Sequence, residues 1–237
     1  MNILLYDKKN LNNDGMLEVK NEKADHIIKV LKLKKGSFIK TGEKNGCLGK
    51  AEILDIKNNK IIIKPHPLHN PPEPLQLTLI TGLPRPKVAR KVIYTAAMMG
   101  VKNIHFINCY KTEKSYWQSP YLNESEINKQ ITNALEQSAD TVFPDIYKHK
   151  RFKPFAEDLL PDIIGNNKGY LLDPYAQKGF PGTCRENKSV VLIGTEGGFT
   201  DYENKKIIAA GAKPHSLGKR ILRVETAVTA IVSRFIT

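Results

Sequence analysis

The chain has 237 residues, 41% hydrophobic and 26% charged, the make-up of an ordinary globular protein rather than a disordered, collagenous or coiled-coil one. That length allows one or two domains and buries roughly 70% of the extended surface, enough for cores without disulfides or metals. Thirty-seven basic residues against twenty-four acidic ones leave a net charge of +13, which favours a polyanionic partner, either nucleic acid or an anionic membrane surface.

In chain order, residues 2–6 read as a strand and 21–31 as a short helix. Residues 37–41, 47–56 and 60–64 read as short β-branched strands separated by Gly and Asn turns. Together they predict a small β-rich domain over residues 1–70. This stretch holds fourteen lysines, no arginine and eight acids, whereas all seven arginines lie beyond residue 84. Lysine is a hydrated point charge suited to phosphates, and arginine adds planar, bidentate recognition. Residues 66–74, HPLHNPPEP, then predict an extended, semi-rigid connector.

Over residues 71–237 the pattern alternates. Strands are predicted at 75–81, 103–107, 169–172, 189–193 and 213–217, with an extended stretch at 144–147. Helices are predicted at 84–99, 124–138, 200–210 and 223–235. Continuous apolar strands alternating with helices indicate an α/β domain with a mainly parallel sheet, and such sheets bind ligands at the carboxyl ends of their strands. No apolar run approaches ~18 residues, so no membrane span is predicted. The start, MNILLYDKKN, is no secretory signal, and a cytoplasmic location is expected. Cys47, Cys109 and Cys184 lie far apart, without zinc-like spacing, and read as reduced thiols; no metal is expected.

Two loops in the last fifty residues carry the chemistry. In the first, Gly194, Thr195, Glu196, Gly197, Gly198 and Phe199 follow a strand and open a helix that Thr200 can N-cap. Its glycines allow close backbone approach, and it matches neither nucleotide-binding glycine motif. One carboxylate and no lysine suit a neutral or cationic ligand, although a tight structural turn reads the same way. In the second, Leu217, Gly218, Lys219, Arg220, Ile221 and Leu222 run from a strand into a helix begun by Arg223 and Glu225. Arg223 and Glu225 fit either a functional role or an ordinary helix-terminus charge arrangement. Val224, Ala227, Val228, Ile231, Val232 and Phe235 make one apolar stripe on that helix.

IGTEGGFTDYE together with LGKRILRVETAV resembles the RsmE family of SPOUT-superfamily RNA methyltransferases, whose loops read I-G-P-E-G-G-(Phe or Trp) and L-G-x-R-I-L-R-x-E-T-A. HIIKVLKLKKG at 26–36 is similar to the family's H-x-x-x-V-L-R-L-x-x-G signature, and residues 100–101, 112–115 and 136–138 also have counterparts. The resemblance implies a PUA-like RNA-binding domain over 1–70. Over 71–237 it implies a SPOUT-type parallel sheet with a C-terminal trefoil knot, an exception to unknotted topology. It implies a homodimeric enzyme that uses S-adenosylmethionine to methylate N3 of a uridine in small-subunit (16S) ribosomal RNA, with the RNA or the small ribosomal subunit as partner. Residues 171–175 (LLDPY), 194–198 and 217–222 would form the cofactor pocket. Gly194, Glu196, Gly197, Gly198 and Gly218 would lie along it, with Leu172, Leu217, Ile221 and Leu222 as apolar walls. Departures from the family pattern fall at Thr95, Met98, Asp140, Lys32 and Thr195, most of them on the RNA side.

Uridine N3 must lose a proton to become a useful nucleophile, so a base or a cation that favours the anion would help. Arg223 is the expected cation, with Glu225 or Glu196 as base. Phe199, Tyr116 or Trp117 would receive a flipped base by stacking, or simply pack. Lys8, Lys9, Lys32, Lys34, Lys35, Arg85, Lys87, Arg90, Lys91, Lys111 and Lys114 are expected on RNA phosphates, contacts that fix register without reading sequence. The closing helix would pack across a dimer two-fold or into its own core. Methylation of another RNA site or atom, such as a ribose 2′-hydroxyl, and RNA binding in ribosome assembly without transfer stay open as alternatives.

Overall fold

The computed structural model describes residues 2–184 and 188–236. The chain divides into two compact units, one of Met1–Pro72 with Leu135–Phe143, the other of Glu73–Ala134 with Pro144–Thr237. The segment Leu135–Phe143 therefore groups with the first unit, although it lies far beyond the predicted connector.

The first unit holds β1 (Leu4–Tyr6), β2 (Leu17–Val19), α1 (Asn21–Asp25), β3 (Phe38–Glu43), β4 (Leu48–Lys57) and β5 (Lys60–His69). The predicted helix continues from α1 through a π-type turn over His26–Val30. The sheet runs β1-β3-β4-β5-β2, with β1 parallel to β3 and the other pairs antiparallel. Alternate residues of β4 and β5 (Ala51, Ile53, Ile61, Ile63) meet Leu4, Tyr6, Val19 and Ile27 in one core. At the edge of that core the buried Glu136 carboxylate accepts from the Leu5 N–H at 2.9 Å and from Lys23 Nζ at 2.7 Å.

The prolines did not make residues 66–69 a connector: β5 continues through Pro65 and Pro67 to His69, opposite β4. β2 pairs only with Ile61–Ile63, so beyond Ile63 the other side of β5 is an edge, where a missing N–H costs nothing. Gly49 opposite is needed there, because a Cβ would sit 2.1 Å from the His66 carbonyl oxygen.

In the second unit β6 (Leu77–Gly82), β7 (Asn103–Ile107), β8 (Asp145–His149), β9 (Lys168–Leu172), β10 (Ser189–Ile193) and β11 (Lys213–His215) form an all-parallel sheet in the order β11-β9-β10-β6-β7-β8. Building starts at β6, proceeds outward to β8, then crosses to the other side. The order reverses between β6 and β10, the kind of switch point that opens a crevice at strand carboxyl ends.

Helix α2 (Pro86–Met98) starts with a proline at its first position and buries Ala89, Val92, Ile93, Ala96 and Ala97. Gly100, at φ +91°, ends it. The Val101 N–H donates to the Ala96 carbonyl and that of Gly100 to Ala97, a left-handed cap that glycine adopts without strain. α3 (Glu124–Ser138) follows. Short turns α4 (Phe152–Pro154) and α5 (Leu160–Ile164) flank a π-type turn; no element is predicted there from sequence, because Pro154 and Pro161 interrupt the apolar pattern of the buried Phe155, Leu160 and Ile164.

α6 (Asp201–Ala209) begins with the expected Thr200 cap, completed by Glu203 as a reciprocal capping box. α7 (Val224–Ile236) buries the whole predicted stripe within this chain, packed on α2 and β10. That stripe is therefore spent on the protomer's own core and makes no case for a dimer. Cys109 and Cys184 are buried and Cys47 half-buried, all three as free thiols. No described helix is long and apolar enough to cross a membrane.

Candidate active site

Three loops leave the carboxyl ends of adjacent strands β9, β10 and β11 and enclose a cavity of about 570 Å³. The β10 loop folds back on itself: a Cβ on Gly194 would lie 2.8 Å from the backbone of Gly198, so only glycine permits the turn. Gly198, at φ +71°, donates its N–H to the Thr195 carbonyl at 2.9 Å. The β9 loop is pinned by the Asp173 N–H, which donates to the His215 carbonyl at 3.0 Å. Asp173 Oδ1 in turn accepts from the Tyr175 N–H at 2.9 Å. In the β11 loop Gly218 turns at φ +108° with open space around it.

All nine residues expected to hold the cofactor line this one cavity: Leu172, Gly194, Glu196, Gly197, Gly198, Leu217, Gly218, Ile221 and Leu222. Ile221 is 72% exposed and Tyr175 79%, so the mouth is rimmed by side chains with little packing of their own. Sequence reasoning passed over His215, Asn204 and Asp201, which also line it, as does Arg220 within the expected 217–222 segment. Their signal was position alone, just after a strand or inside the first turn of α6. His215 is buried and donates Nδ1–H to the Lys213 carbonyl at 2.9 Å, which fixes its tautomer.

Other expected residues fall elsewhere. Lys111, expected on RNA, instead lines the cavity and donates to the Gly197 carbonyl. Glu196 lines it too, but its Oε1 accepts from the Arg85 N–H at 3.0 Å, just ahead of α2. The first turn of α7 is shared: Val224 and Ala227 face the cavity, while Glu225 borders a separate depression of about 500 Å³ with Thr95 and Gln130. Glu225 Oε1 lies 3.7 Å from Lys91 Nζ. Arg223 is exposed and stands outside the cavity's lining.

Lys8, Lys9, Lys32, Lys34 and Lys35 are exposed on the first unit, and Arg85, Lys87, Arg90, Lys91 and Lys114 on the second. Arg90 already covers the Tyr121 ring at 5.3 Å. Among the proposed stacking rings, Phe199 packs on the core. Tyr116 donates its hydroxyl to Glu113 at 2.9 Å, and Trp117 Nε1 donates to Asn108 Oδ1 at 2.8 Å. Burial, and then the Glu203 carboxylate, push the Cys109 thiol far above its ordinary range, which removes it as a nucleophile.

The donor set fits S-adenosylmethionine. Glycine backbone allows close approach, Leu172, Leu217, Ile221 and Leu222 supply apolar walls, and three carboxylates (Asp173, Glu196, Asp201) face two cations (Lys111, Arg220). That balance suits a ligand carrying net positive charge.

An all-parallel α/β sheet with a glycine-built ligand cavity at the carboxyl ends of its strands defines a ligand-binding α/β enzyme class. Residues 71–236 match the RNA methyltransferase domain family. Ribosomal RNA small subunit methyltransferase E 1 of Borreliella burgdorferi is 28% identical over 220 residues, 90% of this chain and 89% of that protein. Ribosomal RNA small subunit methyltransferase E of Treponema pallidum is 27% identical over 236 residues, 97% of this chain and 88% of that protein. The fold is shared with the Neisseria gonorrhoeae methyltransferase E crystallised with S-adenosyl methionine, at a TM-score of 0.69 and 18% identity over 98% of this chain and 95% of that one. The chain belongs to the RNA methyltransferase domain family and, within it, to the RsmE family of SPOUT methyltransferases.

Proposed function

We propose that this protein transfers the methyl group of S-adenosylmethionine to N3 of a uridine in 16S ribosomal RNA. One observation carries the reading: all nine residues assigned to the cofactor, eight from the two loop motifs and Leu172 from the LLDPY segment, line a single cavity at the carboxyl ends of β9, β10 and β11. Bound there, S-adenosylmethionine supplies an electrophilic methyl on a sulfonium sulfur. The chain's part is positioning and exclusion of water. Backbone at Gly194, Gly197, Gly198 and Gly218 holds the ligand, while the leucines and Ile221 keep the pocket dry. Arg223 is the cation that favours the uridine anion. Of the two carboxylates offered as base, Glu196 is the one on the cavity, and it takes the N3 proton.

The finer parts of the reading follow from the family. The first unit serves as a PUA-like RNA-binding domain, and the glycine loops belong to a C-terminal trefoil knot. The enzyme works in the cytoplasm as a homodimer. Because the apolar stripe of α7 is internal, the dimer contact falls on the polar α2–α7 face, where Tyr94, Thr95, Gln130 and Thr229 border a depression suited to a partner's side chain.

The test is incubation of small subunits from a strain lacking the gene with the protein and S-adenosylmethionine, followed by nucleoside mass spectrometry. 3-Methyluridine is expected, and Arg223→Ala is expected to abolish it while cofactor binding persists. A different methylated nucleoside would discard the target. No methylation despite cofactor binding would leave a role in RNA binding alone.

A further inference from the structure

A second cavity of about 530 Å³ opens beside the cofactor pocket. Its walls come from the segment after β7, the start of α6 and the α4 turn. The segment after β7 serves both cavities at once. Lys111 turns into the cofactor pocket, whereas its neighbour Tyr110 stands 85% exposed at the second cavity. Across from it Tyr202 is 51% exposed and meets the Phe152 ring at 6.4 Å and 58°, forming an aromatic corner. Lys206 Nζ lies 5.7 Å from the Tyr202 ring.

The polar groups of this groove suit an anionic, aromatic ligand. Trp117 Nε1–H can only donate, so the atom of Asn108 that it meets at 2.8 Å is Oδ1, and the amide donors of Asn108 point away from Trp117. Lys153 contributes a cation. The one acidic group in the lining, Glu203, is 2% exposed and accepts from the Tyr110 N–H, the Thr200 N–H and the Thr200 hydroxyl at 2.8–2.9 Å. Its charge is thus committed inward. Exposed rings, an amide and a lysine on a chain of net charge +13 match the stacking platforms and cationic grooves that hold single-stranded nucleic acid.

We propose that this groove, formed by Tyr110, Phe152 and Tyr202 with Asn108 and Lys153, is a nucleobase-stacking subsite for single-stranded RNA next to the methylated nucleotide. The inference rests on the RNA-methylating role proposed above and adds to it a place for a flanking base.

A labelled single-stranded oligouridylate is titrated into the full-length protein at several salt concentrations, with S-adenosylmethionine binding measured in parallel. Tyr110→Ala and Tyr202→Ala are expected to weaken RNA binding about ten-fold each while retaining cofactor binding, which shows that the variants are folded. Stacking releases no counterion, so the slope of log K against log salt stays that of the parent, whereas Lys114→Ala flattens it. Tyr110→Phe keeps the ring and restores affinity. Parent-like RNA affinity in both alanine variants overturns the subsite and leaves the groove to an apolar polypeptide segment. If the parent binds cofactor but no RNA, the proposed function falls as well, and the two failures are separate.

Discussion

Glu203→Ala tests how the active-site loops are held. The carboxylate of Glu203 is buried and joins two segments: it caps α6 through Thr200 and accepts the Tyr110 N–H at 2.8 Å. Losing a capping interaction costs about 1 kcal/mol. Leaving the Tyr110 and Thr200 N–H groups without their acceptor costs about 1–3 kcal/mol each when water cannot replace it. Tyr110 is largely exposed, so water serves it in part and the lower end applies. The sum is about 3 kcal/mol. Glu203→Gln keeps the volume and one acceptor oxygen, and about half that loss is expected. Trp117, the sole tryptophan, lies in the second unit, so its fluorescence during urea unfolding reports on this unit. The Glu203→Ala midpoint is expected to fall by roughly 1 M or more. Cofactor affinity should drop with it, because the segment that carries Tyr110 also carries Lys111 to Gly197. A change below ~1 kcal/mol would refute the claim that this carboxylate holds the two segments together.

Gly194→Ala places a Cβ 2.8 Å from the Gly198 backbone, which must then shift, and calorimetry is expected to show S-adenosylmethionine binding weakened at least ten-fold, about 1.4 kcal/mol. His105 contacts His149 at 3.0 Å, and burial, followed by the His149 charge, holds its pKa down at about 4 against 6.5. The unfolded chain thus binds the extra proton first: stability is complete above about pH 6.5 and falls toward pH 4 by about 3 kcal/mol. His105→Gln should flatten that decline in urea midpoints. Lys23→Ala removes the partner of Glu136, whose side chain is 7% exposed against 39% for Lys23. Screening on the lysine side limits the cost to about 1 kcal/mol, read as on the order of five-fold faster hydrogen exchange at the Leu5 amide.

The second unit was legible because the inner strands of its sheet are largely buried. β7 (NIHFI) and β10 (SVVLI) are short apolar runs bounded by turn residues, and both match their predicted bounds. α3 also matches, and α2, α6 and α7 lie within two residues of theirs, because caps such as Thr200 and Gly100 act locally. Proline was the main source of error. It hid the second half of β5, where the neighbouring strand simply stops, and it hid α4 and α5, where it occupies positions that need no hydrogen bond. β2, three residues long, offers too little alternation to detect.

The site was legible to a different degree on its two sides, and chemistry explains the split. The cavity is lined by backbone at strand ends, so glycines record it in the sequence as departures from ordinary composition, as at Gly194 and Gly218. Residues that act through their side chains carry no such mark. Lys111 looks like any surface lysine until the fold brings its ammonium to Gly197, and nothing in the sequence tells that Glu225 lies 3.7 Å from Lys91. Tyr110 and Tyr202 lie 92 positions apart, yet they line one groove. The switch point between β6 and β10 makes such meetings possible, because it gathers loops from distant parts of the chain at one end of the sheet. The make-up of these cavities is therefore written in the order of the strands as much as in the residues themselves.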